Sequence, residues 1–212
     1  EAYGVLIECG KAAFGELLQR PGVRGFWWPR YERIARWFLT FERERRANAV
    51  EIKGEQKGEL TFAAPGGPFT LTAKADRIEI LPADAIVVAD YKTGNVPTTK
   101  QVLAGFSPQL TLEAAIALAG GFPGITAQSV EAFVYVELKG GNVPGAVKRV
   151  KLEDSTPDAE AAAAREKLAA YVAAFDEPDM PYLSKPRVLL ERFAGDYDHL
   201  ARVKEWSSGD EE

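Results

Sequence analysis

At 212 residues, with 46% hydrophobic and 10% aromatic content, the chain can bury one sizeable core, and that composition excludes a wholly disordered protein. A formal charge of −5 does not advertise a nucleic-acid partner; the single cysteine, Cys9, cannot form an internal disulfide, and with the single histidine, His199, it cannot build a Cys/His zinc site, so any metal must sit on oxygen ligands. The longest apolar runs, near 114–119 and 132–136, fall far short of the roughly 20 residues of a membrane span, and the N-terminus lacks a signal-peptide pattern, so a soluble, cytoplasmic protein with no membrane association is expected.

Residues 10–20 read as helical, followed by a Pro21-Gly22 break and a stronger helix over 29–46. There Tyr31, Ile34, Ala35, Phe38 and Phe41 follow the i, i+3, i+4, i+7 rule with Trp37 alongside, and Pro29 sits where a first turn tolerates proline. Trp27 and Trp28 read as core or staple residues. The basic stretches Arg43, Arg45, Arg46, Lys53, Lys57 and Lys148, Arg149, Lys151 read as solvated faces. From 49 to 92 the period becomes two: Val50-Glu51-Ile52, Glu59-Leu60-Thr61-Phe62, Phe69-Thr70-Leu71-Thr72-Ala73 and Ile78-Glu79-Ile80 alternate around a Pro65-Gly66-Gly67-Pro68 turn, as an antiparallel meander does. The run 85–89 is continuously apolar, as a strand buried on both faces is, and Leu81-Pro82-Ala83-Asp84 joins it to its predecessor.

Helices are expected again at 98–105 and 107–119, the second with Ser107 as N-cap and Pro108 in its first position. Strands at 129–138 and 146–152 flank a Gly140-Gly141-Asn142 turn; an alanine-rich helix over 157–175, capped by Thr156, follows, and a short helix containing 197–206 ends the chain. With no repeat and no linker, residues 1–212 are expected to form one domain. Its class is α/β, with a mixed central β-sheet flanked by helices.

The chemistry gathers where the apolar strand ends. Asp76 lies at the end of the strand that starts near Phe69 and Asp90 at the end of the next, and opposite residues on adjacent strands stand about 5 Å apart. Two carboxylates with no histidine or cysteine nearby suit a hard cation such as Mg²⁺ or Mn²⁺. Alternation puts Lys92 on the face of Asp90 and Tyr91 on the other. A lysine beside such a pair can stabilise charge building on phosphorus or help orient and deprotonate an attacking water. An Asp-x-Lys tripeptide alone reads as an exposed ion pair of little worth; the second Asp, the apolar strand and Gln109 on the following helix are what single this one out.

Lys74-Ala75-Asp76-Arg77-Ile78, Asp90-Tyr91-Lys92-Thr93-Gly94 and Gln109-Leu110 together resemble the PD-(D/E)XK nuclease superfamily in its RecB-like branch. Stretches around 26–30, 73–78, 107–115 and 196–206 are similar to the C-terminal nuclease domain of AddB-type helicase-nuclease subunits of alphaproteobacterial form, and the likeness covers most of the chain. The resemblance implies a restriction-endonuclease-like core in which Asp76 and Asp90 ligate Mg²⁺ or Mn²⁺, the backbone carbonyl of Tyr91 adds a ligand, Lys92 is the catalytic lysine and Gln109 positions the site. It assigns possible support to Thr93 and to Glu113, which falls where relatives carry a tyrosine and reads equally as a solvated helix residue.

It further implies a metal-dependent exonuclease that cuts single-stranded DNA during double-strand break repair by homologous recombination, partnered by an AddA-like helicase-nuclease subunit. The alternative is a nuclease-like module that binds DNA or docks on a partner without catalysis. The branch also supplies a metal-proximal histidine from a helix ahead of the sheet. No histidine precedes His199, so the chain is expected to be the C-terminal fragment of a longer subunit, with Glu8 and Glu16 read as surface carboxylates rather than substitutes. Four flanking cysteines hold an iron–sulfur cluster in some relatives; Cys9 alone cannot, and none is expected.

Overall fold

Helix α2 (Trp28–Asn48) forms where the aromatic stripe is, with Pro29 in its first turn. Ahead of it a computed structural model, which describes residues 1–181, places α1 (Ala2–Phe14), a 3₁₀ turn (Gly15–Gln19) and a π turn (Val23–Trp27). The first helix therefore ends earlier than its period suggested. The predicted C-terminal helix and His199 lie outside the described residues. Trp28 joins Phe14 and Tyr31 in an aromatic cluster with centroids 5.4 to 5.9 Å apart, but Trp27 is 59% exposed, which corrects its reading as a core residue.

Five strands form one sheet: β1 (Glu51–Phe62), β2 (Phe69–Ile80), β3 (Ala85–Lys92), β4 (Ser129–Leu138) and β5 (Gly145–Arg149), side by side in chain order. All neighbours are antiparallel except β3 and β4, whose parallel pairing requires the crossover made by α3 (Thr99–Leu103) and α4 (Gln109–Leu118). The short strands expected at 50–52 and 59–62, and at 69–73 and 78–80, are parts of two continuous strands of 12 residues each. Ser107 does not cap α4, which starts at Gln109 behind Pro108 with no side-chain cap, whereas Thr98 and Gln101 cap α3 reciprocally. Helix α5 (Pro157–Phe175) starts as expected, the Thr156 hydroxyl accepting from the Ala159 amide at 3.2 Å.

Helices cover both faces, in the mixed α/β class expected. Ile86 and Val88 of β3 and Phe133 and Tyr135 of β4 point to α4, joined there by Leu110 and Ala114; Val87, Ala89, Val134 and Val136 point to α2 and Phe41. This two-sided burial is why the 85–89 run has no polar alternation. Helix α2 reaches β5 because Gly145 has no Cβ to meet the Trp37 ring, and the loop after α4 closes on β1 because a Cβ on Gly121 would strike the Glu59 carbonyl. Among the described residues no helix is long and apolar enough to cross a membrane.

One local irregularity decides where the polar side chains go. Ala75 and Ile78 both pack on the α4 side, while Arg77 and Glu79 between and beyond them bond to Glu42 and Arg45 of α2. In an unbroken strand residues 75 and 77 share a face. The alternation therefore inverts at Asp76, opposite Glu55, whose φ is 55° and which interrupts the ladder between Gly54↔Arg77 and Gln56↔Ala75.

Candidate functional site

Asp76 is not at the end of its strand, because β2 continues to Ile80; it stands where the β2–β3 ladder ends, one position beyond the Arg77↔Ala89 pair and in register with Asp90. Its Oδ2 accepts the Tyr91 backbone N–H at 3.0 Å, which ties it to the peptide following Asp90. Asp90, 2% exposed, is held from both sides: Gln109 Nε2 donates to its Oδ1 at 2.7 Å, and the Lys92 ammonium lies 2.7 Å from Oδ2. Lys92 Nζ also donates to Gln109 Oε1 at 3.2 Å, closing a triangle of β3 and α4 side chains at the open end of the ladder. At 2.7 Å the Lys92 ammonium is the charged partner of Asp90 Oδ2.

Alternation along β3 thus puts Asp90 and Lys92 together, and Tyr91 turns to the α2 face, where its hydroxyl accepts from Arg77 at 3.1 Å. Thr93 is exposed just past the strand, outside this network. Glu113, for which a solvated helix position is one of two readings, is 2% exposed: it lies one helical turn beyond Gln109 on the same face and accepts from Gln109 Nε2 at 3.2 Å. Glu8 and Glu16 are exposed, and Glu8 pairs with Lys11 at 2.8 Å.

The field of the site follows from burial. Asp90 titrates above the usual carboxylate range because burial disfavours its charge and Asp76 adds to the effect, against the pull of Lys92 and Gln109. Glu113 is pushed up to about 7, first by burial, with the Gln109 hydrogen bond opposing and the charges of Asp90 and Asp76 adding. A carboxyl whose folded value is raised holds its proton more tightly in the fold. Its contribution is therefore greatest below 4.5, the unperturbed value, and is lost as pH rises to about 7. Glu113→Gln is expected to flatten that part of the stability profile, read as urea midpoint against pH; equal slopes in the two proteins would refute the assignment.

Two features were missed by sequence reasoning. Tyr135, the β4 register partner of Asp90, is 2% exposed and its hydroxyl has no hydrogen-bond partner among the described residues. A tyrosine inside the apolar run Val134-Tyr135-Val136 was the available signal, since a buried phenol needs a partner. On the other face Arg77 donates to Glu79 and Glu42, both at 2.7 Å, and Arg45 pairs with Glu79, so a charged network underlies the site.

Among the described residues no three His, Cys, Asp or Glu side chains close up as a cation cage. Two carboxylates at one ladder end remain, an all-oxygen donor set of the kind through which Mg²⁺ is bound while it keeps several waters.

A model described as the PD-(D/E)XK nuclease superfamily matches residues 10–187. An uncharacterized protein of Rickettsia bellii (strain RML369-C) is 40% identical over 96 residues, which are 45% of this chain and 12% of that protein. One from Rickettsia typhi (strain ATCC VR-144 / Wilmington) is 40% identical over 117 residues, 55% of this chain and 14% of its own. The chain thus spans 12% and 14% of the length of these curated relatives. The crystal structure of SSO0001 is 14% identical, with a TM-score of 0.35 over 62% of this chain and 56% of that one.

Proposed function

The chain belongs to the PD-(D/E)XK nuclease superfamily, and from that premise we propose that it is a metal-dependent deoxyribonuclease whose site is built by Asp76, Asp90, Lys92 and Gln109. The observation that carries this is the Asp90–Lys92–Gln109 triangle, half-buried at the ladder end where Asp76 stands in register with Asp90. Asp76 and Asp90 would hold Mg²⁺ or Mn²⁺, with the Tyr91 carbonyl as a further oxygen. Bound there, the ion supplies Lewis-acid stabilisation of charge on a phosphoryl oxygen.

The chain's own groups do the rest. Lys92 keeps its ammonium next to the carboxylate, 30% exposed and so open to a phosphate, where it offsets the negative charge that grows as phosphorus is attacked. Gln109 fixes both partners at once, donating to Asp90 and accepting from Lys92, which pre-sets their separation before substrate arrives. Glu113 anchors Gln109 from the next turn of α4.

The finer reading is an exonuclease domain for single-stranded DNA in recombinational break repair, cytoplasmic, carried by a longer AddB-like subunit with an AddA-like partner. Its support is the similarity of the sequence stretches given above and the far greater length of the Rickettsia relatives. End-labelled single-stranded DNA incubated with the protein and Mg²⁺ or Mn²⁺ is expected to be degraded, and EDTA to abolish degradation. DNA binding without cleavage under either metal would sink the enzymatic reading and leave a docking module.

A further inference from the structure

Glu113 Oε2 and the Tyr135 hydroxyl are buried without a hydrogen-bond partner among the described residues, and beside them Asp90 Oδ2 is faced on one side by the Lys92 ammonium at 2.7 Å, its other lone pair being free for a second donor; a further unpartnered atom, on Arg77, belongs to the opposite face. They arrive from three elements, β3, α4 and β4. Asp90 and Tyr135 are register partners on adjacent parallel strands and so share a face, and the Gln109 amide bonds both Asp90 and Glu113, drawing the two carboxylates to one donor. All three residues are 2% exposed. One unpartnered buried atom is unfavourable; an unpartnered carboxyl oxygen and an unpartnered phenol beside a half-satisfied carboxylate call for a common guest.

The donor set says which guest. Among the described residues no three acidic side chains close up as a cation cage, and a phenol is a hydrogen-bond donor at neutral pH. Two acceptors and one donor match a water molecule, which donates to both carboxylates and accepts from the phenol; buried waters typically make about three such bonds. Tyr135 lines a groove of about 480 Å³, and Gln109 and Glu113 line another of about 300 Å³.

We propose that Asp90, Glu113 and Tyr135 form a seat for one ordered water, which locks the Asp90 carboxylate between that water and Gln109 and makes Tyr135 a positioning residue of the site. The seat stands on the geometry; its effect on cleavage rests on the nuclease reading.

Tyr135→Phe tests both parts. In a high-resolution crystal structure the wild-type protein is expected to show solvent density within hydrogen-bonding distance of all three oxygens, absent from the variant. No such density, or an anomalous manganese signal at that point after a Mn²⁺ soak, overturns the proposal. In cleavage assays the variant is expected to lose about tenfold in kcat at unchanged KM, as changes to groups that orient a ligand do. If it melts higher than wild type with kcat unchanged, the hydroxyl is only a packing defect and the positioning role falls. A wild-type protein that shows the density but cuts no DNA removes the nuclease reading and the positioning role, and leaves the water seat standing.

Discussion

Asp90→Asn is expected to lower metal-dependent cleavage of single-stranded DNA about a thousandfold while the protein stays folded. The change is isosteric, and the remaining carbonyl oxygen still accepts from Gln109 Nε2, so the Gln109 side of the triangle is kept, while the new amide NH₂ meets the Lys92 ammonium donor to donor and releases that side. What disappears is the negative charge that would bind the cation and face Lys92, and removing one such preorganised electrostatic group typically costs about 10²–10³ in kcat, with metal affinity lost in addition. Stability moves little or upward: Asp90 titrates above its ordinary range because burial opposes its charge, and Lys92, 30% exposed on its side chain, remains solvated when its partner is gone. Cleavage and urea unfolding of the same preparation are the measurements. A variant within about tenfold of wild-type activity, well short of the loss expected for such a group, would take Asp90 out of the reaction.

Arg77→Ala is expected to act the other way, through the fold. The guanidinium is 5% exposed on its side chain and donates to Glu79 and Glu42 at 2.7 Å and to the Tyr91 hydroxyl at 3.1 Å, with its carbon 5.4 Å from the centre of the Phe41 ring. Truncation leaves Glu79, 1% exposed, with Arg45 as its remaining partner, and opens a cavity under β2. Breaking a buried pair by removing one member costs about 3–5 kcal/mol. The double change Arg77→Met with Glu79→Leu is expected to recover most of that, since it removes the stranded charge as well as its partner. Urea titrations of both variants measure the difference; a loss below about 1 kcal/mol for Arg77→Ala would mean that Glu42, Arg45 and Glu79 close up without it.

Periodicity made most of the fold legible. The 85–89 run could only be a strand buried on both faces, the stripe from Tyr31 to Phe41 could only be a helix with one apolar side, and β4 and α5 appear at the bounds the pattern suggested. The bounds that moved did so where local signals are weak: polar residues 53–58 sit inside one long strand because hydrogen bonds to β2 hold them, and Ser107 lost the cap because Pro108 begins the turn and the Ser107 amide bonds to Gln101.

The site divides along the same line. That Asp90 and Lys92 share a face and Tyr91 opposes them is a consequence of the two-residue period, so the sequence by itself determined it. The meeting of Asp76 with Asp90 is of another kind. Regular alternation would put Asp76 on the face opposite Ala75, away from α4; the inversion opposite Glu55 brings it round to the Tyr91 amide, and sends Arg77 and Glu79 to α2. Nothing local in Lys74-Ala75-Asp76-Arg77 announces that inversion. Likewise Glu113 and Tyr135 lie 22 positions apart, one in the helix that crosses over from β3 to β4 and the other in β4, and their burial beside Asp90 is a property of packing. Spacing within a strand or a helix is carried by the covalent chain, whereas faces that meet between elements depend on register, and register was settled only when the sheet and α4 closed on one another.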